Sequence, residues 1–272
     1  MNVNNFLSIS TQVFILSPIV SFISKARICM FSLFKKEVKG FLSSVLGYVV
    51  IIVFLLIVSL FLWVFPGEFN VLENGYSSLD GLFMIAPWVY LFLIPAITMR
   101  SFADEKRSGT IELLLTKPLT DLNIIMAKYL AGIVLVIFSI APTLIYYYAV
   151  YQLGNPVGNI DIGATNGSYI GLIFLASAFV SIGIFASSIT DNQVISFIIS
   201  LFLCFIAYQG FDSFSSLQLF KGVDNIIAGL GVSQHYVSMS RGVIDTRDII
   251  YFVGLSAIFI MMTKTSLESR KW

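Results

Sequence analysis

Stretches without a single charge run over residues 40–67, 81–99, 129–160, 162–190, 192–211 and 249–263, and the charges between them come in clumps. About 20 apolar residues cross a hydrocarbon core of about 30 Å as a helix. The runs therefore predict six membrane-spanning helices, at 43–65, 81–99, 127–150, 168–189, 193–211 and 248–266. The sixth run is the shortest: its 15 uncharged residues reach about 22 Å at about 1.5 Å per residue. It spans if Arg247 and Lys264 extend toward the two headgroup layers. The expected fold class is all-α, a polytopic membrane protein.

Ahead of the first span the pattern changes. Phe31, Phe34, Val38 and Phe41 recur at spacings of three and four, while Lys35, Lys36 and Lys39 take the other face. This predicts an N-terminal amphipathic helix lying in the membrane interface. Residues 1–24 carry no charge, but Phe6–Ile23 is broken by Ser, Thr, Gln and Pro18. A signal peptide would need a basic start and a small-residue cleavage site, and neither is present. We read 1–29 as an extension before a single domain over 30–272, with a seventh span as the alternative.

Charge supplies the orientation. Thirteen of the sixteen Lys and Arg residues fall in the N-terminal segment, the loop between helices two and three, and the C-terminal tail. The segments at 66–80 and 151–167 contain only acids: Glu68, Glu73, Asp80 and Asp161. Basic loops stay in the cytoplasm, so both termini are expected there. Only 31 of 272 residues are charged, 57% are hydrophobic, and mean hydropathy is +0.91. Ordinary soluble domains carry about 25% charged residues, so a water-soluble enzyme is excluded. A net charge of +1 argues against a nucleic-acid partner, which needs a concentrated basic face. Cys29 and Cys204 are too few for a disulfide framework or a zinc site.

The spans are short of chemistry. No ionisable residue lies well inside any of them, with Lys128 placed at the membrane edge. Proton relays, pumps and voltage sensors need such residues. There is also no phosphate-cradling Gly-x-x-x-x-Gly-Lys-Ser/Thr segment. No catalytic, cofactor or metal site is predicted, and any uphill transport would draw its energy from another chain. Pro87, Pro95 and Pro142 fit ordinary irregularity of membrane helices better than dedicated moving kinks. His235, the only histidine, lacks ligands at metal spacing. Asp245, Arg247 and Asp248 are expected to anchor the start of the sixth helix. Tyr146, Tyr147, Tyr148 and Tyr151 read as an interfacial aromatic belt. Asn166-Gly-Ser168 is a formal glycosylation triplet expected in an external loop.

The loop between helices two and three, Arg100 to Asp121, is where charge, glycine and proline are dense. Helix two can continue to Arg107, with Gly109 as a left-handed cap. Thr110 then serves as N-cap of a short helix, with Glu112 near its positive end. Ile111, Leu113, Leu114 and Leu115 make that helix apolar, and Pro118 stops it. Such a helix is buried either by headgroups or in a partner's groove.

The stretch Asp104-Glu-Lys-Arg-Ser-Gly-Thr-Ile-Glu-Leu-Leu-Leu-Thr-Lys-Pro118 resembles the signature of ABC-2 type transporter permeases, through Glu105, Lys106, Arg107, Gly109, Thr110, Glu112, Leu114 and Pro118. The resemblance implies six helices, an interfacial helix before the first, and half-helices in the external loop before the sixth. It further implies a coupling helix after helix two that docks on a separate ABC ATPase subunit. Glu105 and Arg107 would tie helix two to the interfacial helix. A second permease copy, or a related permease or auxiliary membrane subunit, would face this one in the bacterial inner membrane. A narrower resemblance joins Phe34-Lys35-Lys36-Glu37, Phe102–Leu114 and His235–Asp248 to the permeases associated with gliding motility. The alternative is a membrane scaffold that anchors motility or secretion machinery without transporting anything.

Overall fold

The computed structural model describes residues 28–73, 75–115, 119–216 and 229–269, the side chains of 114 and 115 excepted. Most of the extension expected before Met30, with its alternative seventh span, lies outside the described residues, as do Lys117 and Pro118. Among the described residues there is no strand.

Among the described residues twelve helices follow in order. Helix α1 covers 28–42. The first span is α2 (Val45–Ser59), which continues as a π-helical turn over Leu60–Val64. Then come α3 (Asp80–Thr98), α4 (Ala103–Arg107) and α5 (Thr110–Leu115). The third span is α6 (Asp121–Ile140), joined by the 3-10 turn Ala141–Thr143 to α7 (Leu144–Leu153). The fourth is α8 (Ile162–Ile189), and the fifth is α9 (Gln193–Phe205), which runs through the π-helical turn Ile206–Gly210 into α10 (Phe211–Ser216). Helix α11 (Val232–Ser240) precedes the last span, α12 (Thr246–Glu268). Among the described residues six helical stretches are long and apolar enough to cross a membrane, in the order expected.

Two spans begin about two turns earlier than predicted, and their caps explain why. Thr120 accepts a hydrogen bond from the Asn123 amide at the start of α6, and Asp161 accepts one from the Ala164 amide at the start of α8. Each satisfies a backbone donor that the first turn leaves free. Hydropathy marks where lipid is tolerated, whereas caps mark where the helix starts. The early start of α8 also corrects the reading of Asn166-Gly-Ser168: the triplet is helical, and buried Ser168 donates to Ser240 O at 2.8 Å. Of the prolines, Pro87 and Pro95 sit within an unbroken α3, while Pro142 lies in the 3-10 turn between α6 and α7.

The bundle is organised around α8, which packs on α3, α6, α9, α11 and α12. In lipid, helices gain nothing from hiding apolar surface from one another, so close van der Waals approach by small residues holds them. A methyl group on Gly132 of α6 would stand 2.6 Å from Val180 Cγ1 of α8, and one on Gly183 of α8 would collide with Thr98 of α3. These two glycines set the helix separations. By contrast α2, α9 and α12 leave most of their residues unburied by the chain itself.

The two ends of the bundle differ. At one end, called here the acidic end, α11 is tucked under the bundle without crossing it. Tyr236 donates to Phe83 O at 2.7 Å, and Val232, Tyr236 and Met239 are buried. His235 contacts Asp248 Oδ1 at 2.7 Å and Gly229 O at 3.0 Å and stacks on Tyr251. Asp245 caps α12 by accepting from the Arg247 amide at 3.0 Å, and that bond holds its carboxyl below the usual range. The opposite end, the basic end, gathers α1, α4, α5 and the near ends of α6, α8, α9 and α12.

Candidate functional site

The continuous extension of helix two expected as far as Arg107 is interrupted. Helix α3 ends at Thr98, a turn follows, and α4 starts at Ala103. One hydroxyl explains the break. Ser187 of α8 accepts hydrogen bonds from the amides of Phe102 and Ala103 at 2.9 and 3.0 Å, and its own hydroxyl donates to Met99 O at 3.1 Å. In an unbroken helix the Ala103 amide would bond Met99 O directly. Ser187 stands between the two, so the turn is opened without leaving buried polar groups unsatisfied.

Around this break the chain ends are fastened together. Lys106 Nζ donates to Ser188 O, which also accepts from Ser266 of α12 at 3.1 Å. Gln193, at the start of α9, donates to Asp104 Oδ1. Lys128, expected at the membrane edge, lies two turns into α6 and is 3% exposed. Its ammonium donates to Ser101 O at 2.7 Å and to Glu37 Oε1 of α1 at 2.9 Å. Glu105 Oε2 lies 3.0 Å away as a charge contact, without the alignment of a hydrogen bond. Glu105 is itself 9% exposed, and the Phe102 ring centre lies 5.0 Å from the ammonium. Exposed Lys36 adds a looser contact to Glu105 Oε1 at 3.6 Å. A buried ammonium is tolerated because two carboxylates and a carbonyl replace its water. A cavity of about 310 Å³ opens beside this cluster, with Arg100, Thr98 and Gly132 among its lining residues.

Beyond the fastened segment, Gly109 adopts φ +68°, a left-handed conformation that favours glycine. Its amide donates to Lys106 O at 3.1 Å, closing α4. Thr110 was expected to be an N-cap. It is instead the first residue of α5, and its hydroxyl turns back to Ser108 Oγ at 2.9 Å. Half-buried Ile111 anchors α5 to the core, while Glu112 and Leu113 face outward and Leu113 is 68% exposed. The Leu114 side chain and Pro118 lie outside the described residues.

The structure thus draws Lys36, Glu37 and Glu105 into one cluster. Arg107 stands apart, exposed, and forms no ion pair among the described residues. Lys35 is exposed, and Phe34 stacks on Phe31 at 6.0 Å. Sequence reasoning missed Lys128, Ser101, Ser187 and Gln193. For Lys128 a signal existed: it is the charge that opens the apolar run 129–160, and a charge so close to lipid calls for a partner.

The family model described as ABC-2 family transporter protein matches residues 31–244. A comparison with curated proteins gives no match. The match takes in most of α1, five of the six spans and the fastened loop, and so this multi-pass membrane protein belongs to the ABC-2 transporter family.

Proposed function

We propose that the chain is the permease subunit of an ATP-driven transporter, and that α5 is the surface on which a separate ABC ATPase docks. The observation that carries this reading is the contrast across Gly109. On one side α4 is fastened to α6, α8 and α9 through Lys128, Ser187 and Gln193. On the other a short apolar helix with exposed Leu113 stands outward. A partner that grips α5 and moves it pulls on a base that reaches the ends of several spans, so the motion emerges as a tilt of helices. The Lys and Arg distribution supports a cytoplasmic position for this end and for both termini. With its exposed lysines and inward-packed Phe34, Val38 and Phe41, α1 suits the headgroup layer.

In keeping with the family, two permeases, identical or related, face each other around a central path in a bacterial inner membrane. The finer assignment to gliding motility, with export or mechanical work as output, rests on the resemblance of 34–37, 102–114 and 235–248 to those permeases.

The test is purification of the tagged chain in mild detergent, with ATPase activity assayed on what accompanies it. A stoichiometric ATP-binding subunit is expected, and Gly109→Pro is expected to release it. Proline forbids the positive φ and removes the amide that bonds Lys106 O. Unchanged ATPase binding and hydrolysis in that variant would sink the docking role of α5. A wild-type chain that always purifies alone favours the scaffold.

A further inference from the structure

We infer that Lys128 is the positioning residue that makes α1, α4 and α6 move as one body, so that displacement of α5 is delivered to α1 and from there to the first span. This role rests on the docking role proposed for α5.

The argument begins with the ammonium. This group meets three partners, each from a different segment: it donates to Glu37 in α1 and to Ser101 O in the turn after α3, and Glu105 in α4 lies 3.0 Å away. The last is a contact of charge, so the group is held by attraction from three directions and not by one bidentate pair. Lys128 is buried to 3% exposure, where water cannot replace a lost partner and separating the charges is costly. The other fastenings of α4, through Ser187, Ser188 and Gln193, lead to α8 and α9 and do not reach α1. Among the described polar contacts, α1 is joined to α4 and α6 by Lys128 and by the Lys36–Glu105 pair. The latter is 3.6 Å long with Lys36 largely exposed, a geometry that contributes little. Among the described residues the other packing of α1 on the core is apolar, through Leu33, Phe34, Val38 and Phe41 among others, and apolar surfaces have no directional preference that would stop them sliding. A pull on α4 therefore reaches α1 through charge. Helix α1 leads into α2 through the turn at Ser43 and Ser44, where Ser44 caps α2 by accepting from the Gly47 amide.

The experiment uses the complex of this chain with its co-purifying ATPase in lipid nanodiscs. Spin labels are placed at Lys39→Cys on α1 and Asp191→Cys beside α9, both exposed positions, with Cys29 replaced by serine. Their distance distribution is measured with and without nucleotide. A nucleotide-dependent shift is expected in the otherwise unaltered protein. In Lys128→Met it collapses to within the width of the nucleotide-free distribution while ATP hydrolysis continues, and Lys128→Arg restores it. Glu37→Gln removes the charge from the α1 tie and leaves the Lys128–Glu105 contact, so it serves if Lys128→Met does not fold; it too is expected to hydrolyse ATP without the shift. A shift that persists in Glu37→Gln and Lys128→Met, or no shift in the parent complex, overturns the role of Lys128 alone. Failure of any ATPase to accompany the parent chain overturns the proposed function and this role together.

Discussion

At the scale of single residues, the structure turns on polar groups that lie far from their partners along the chain. Ser187 stands 85 residues from Phe102, yet its hydroxyl replaces a backbone hydrogen bond at the end of α3. Ser187→Ala would leave the buried amides of Phe102 and Ala103 without an acceptor, at about 1–3 kcal/mol for the stranded group. The expected result is a lower unfolding midpoint in detergent, with Ser177→Ala on the same helix as a near-neutral control, since Ser177 bonds only within its own turn. Close approach offers a second test. Gly183→Ala drives a methyl group into Thr98, whereas Gly254→Ala enters open space. Overpacking of this kind costs about 1–3 kcal/mol, so thermal unfolding should separate the two variants, with Gly254→Ala unchanged. Equal midpoints would mean that α3 and α8 are not held at the separation described. Little of this was legible in the sequence: a serine or glycine within an apolar run looks the same whether it meets lipid, a neighbouring helix or a broken backbone.

At the scale of elements, legibility was uneven for a physical reason. Spans announce themselves because the membrane imposes a local rule, residue by residue, on what can face it. Helix ends and breaks answer to specific hydrogen bonds. The starts of α6 and α8 were misplaced because Thr120 and Asp161 cap them outside the most apolar stretch. Helix two was read as continuous because no proline or glycine marks residues 99–102, and the break is made by the neighbouring α8. Gly109 was legible, since a glycine between a charged turn and an apolar run is a strong stop signal. Its φ of +68° gives a graded prediction. Gly109→Ala keeps the amide but strains the backbone by roughly 1–2 kcal/mol. Its affinity for the ATPase should fall between those of the parent and Gly109→Pro, with circular dichroism unaltered. An Ala variant weaker than the Pro variant would mean that the aim of α5 does not depend on this torsion.

At the scale of the whole molecule, the six spans form a bundle with unlike ends. Gln152 and Arg241 are exposed at the acidic end, and Lys39 and Glu268 at the basic end. Single cysteines at these positions, in a background without Cys29 and Cys204, should report the orientation. In intact cells a membrane-impermeant maleimide is expected to label positions 152 and 241, and to reach 39 and 268 only after permeabilisation. The reverse pattern would overturn the cytoplasmic placement of α5, and with it any access for an ATPase. The faces of α2 and α3 also enclose, with Phe197 of α9, an apolar groove of about 790 Å³, a surface suited to lipid.

The number of spans, their order and the bias of positive charge to one side were determined by the sequence alone. Each depends on the local balance between apolar side chains and lipid, which no distant residue alters. The tertiary structure decided where the second helix breaks, which lysine is buried and which of the loop's charges form a cluster. Lys128 meets Glu37 across 91 residues and Ser101 O across 27. A buried charge is stable only where several segments converge to replace its water, and that convergence is a property of the folded bundle, not of any stretch of the chain.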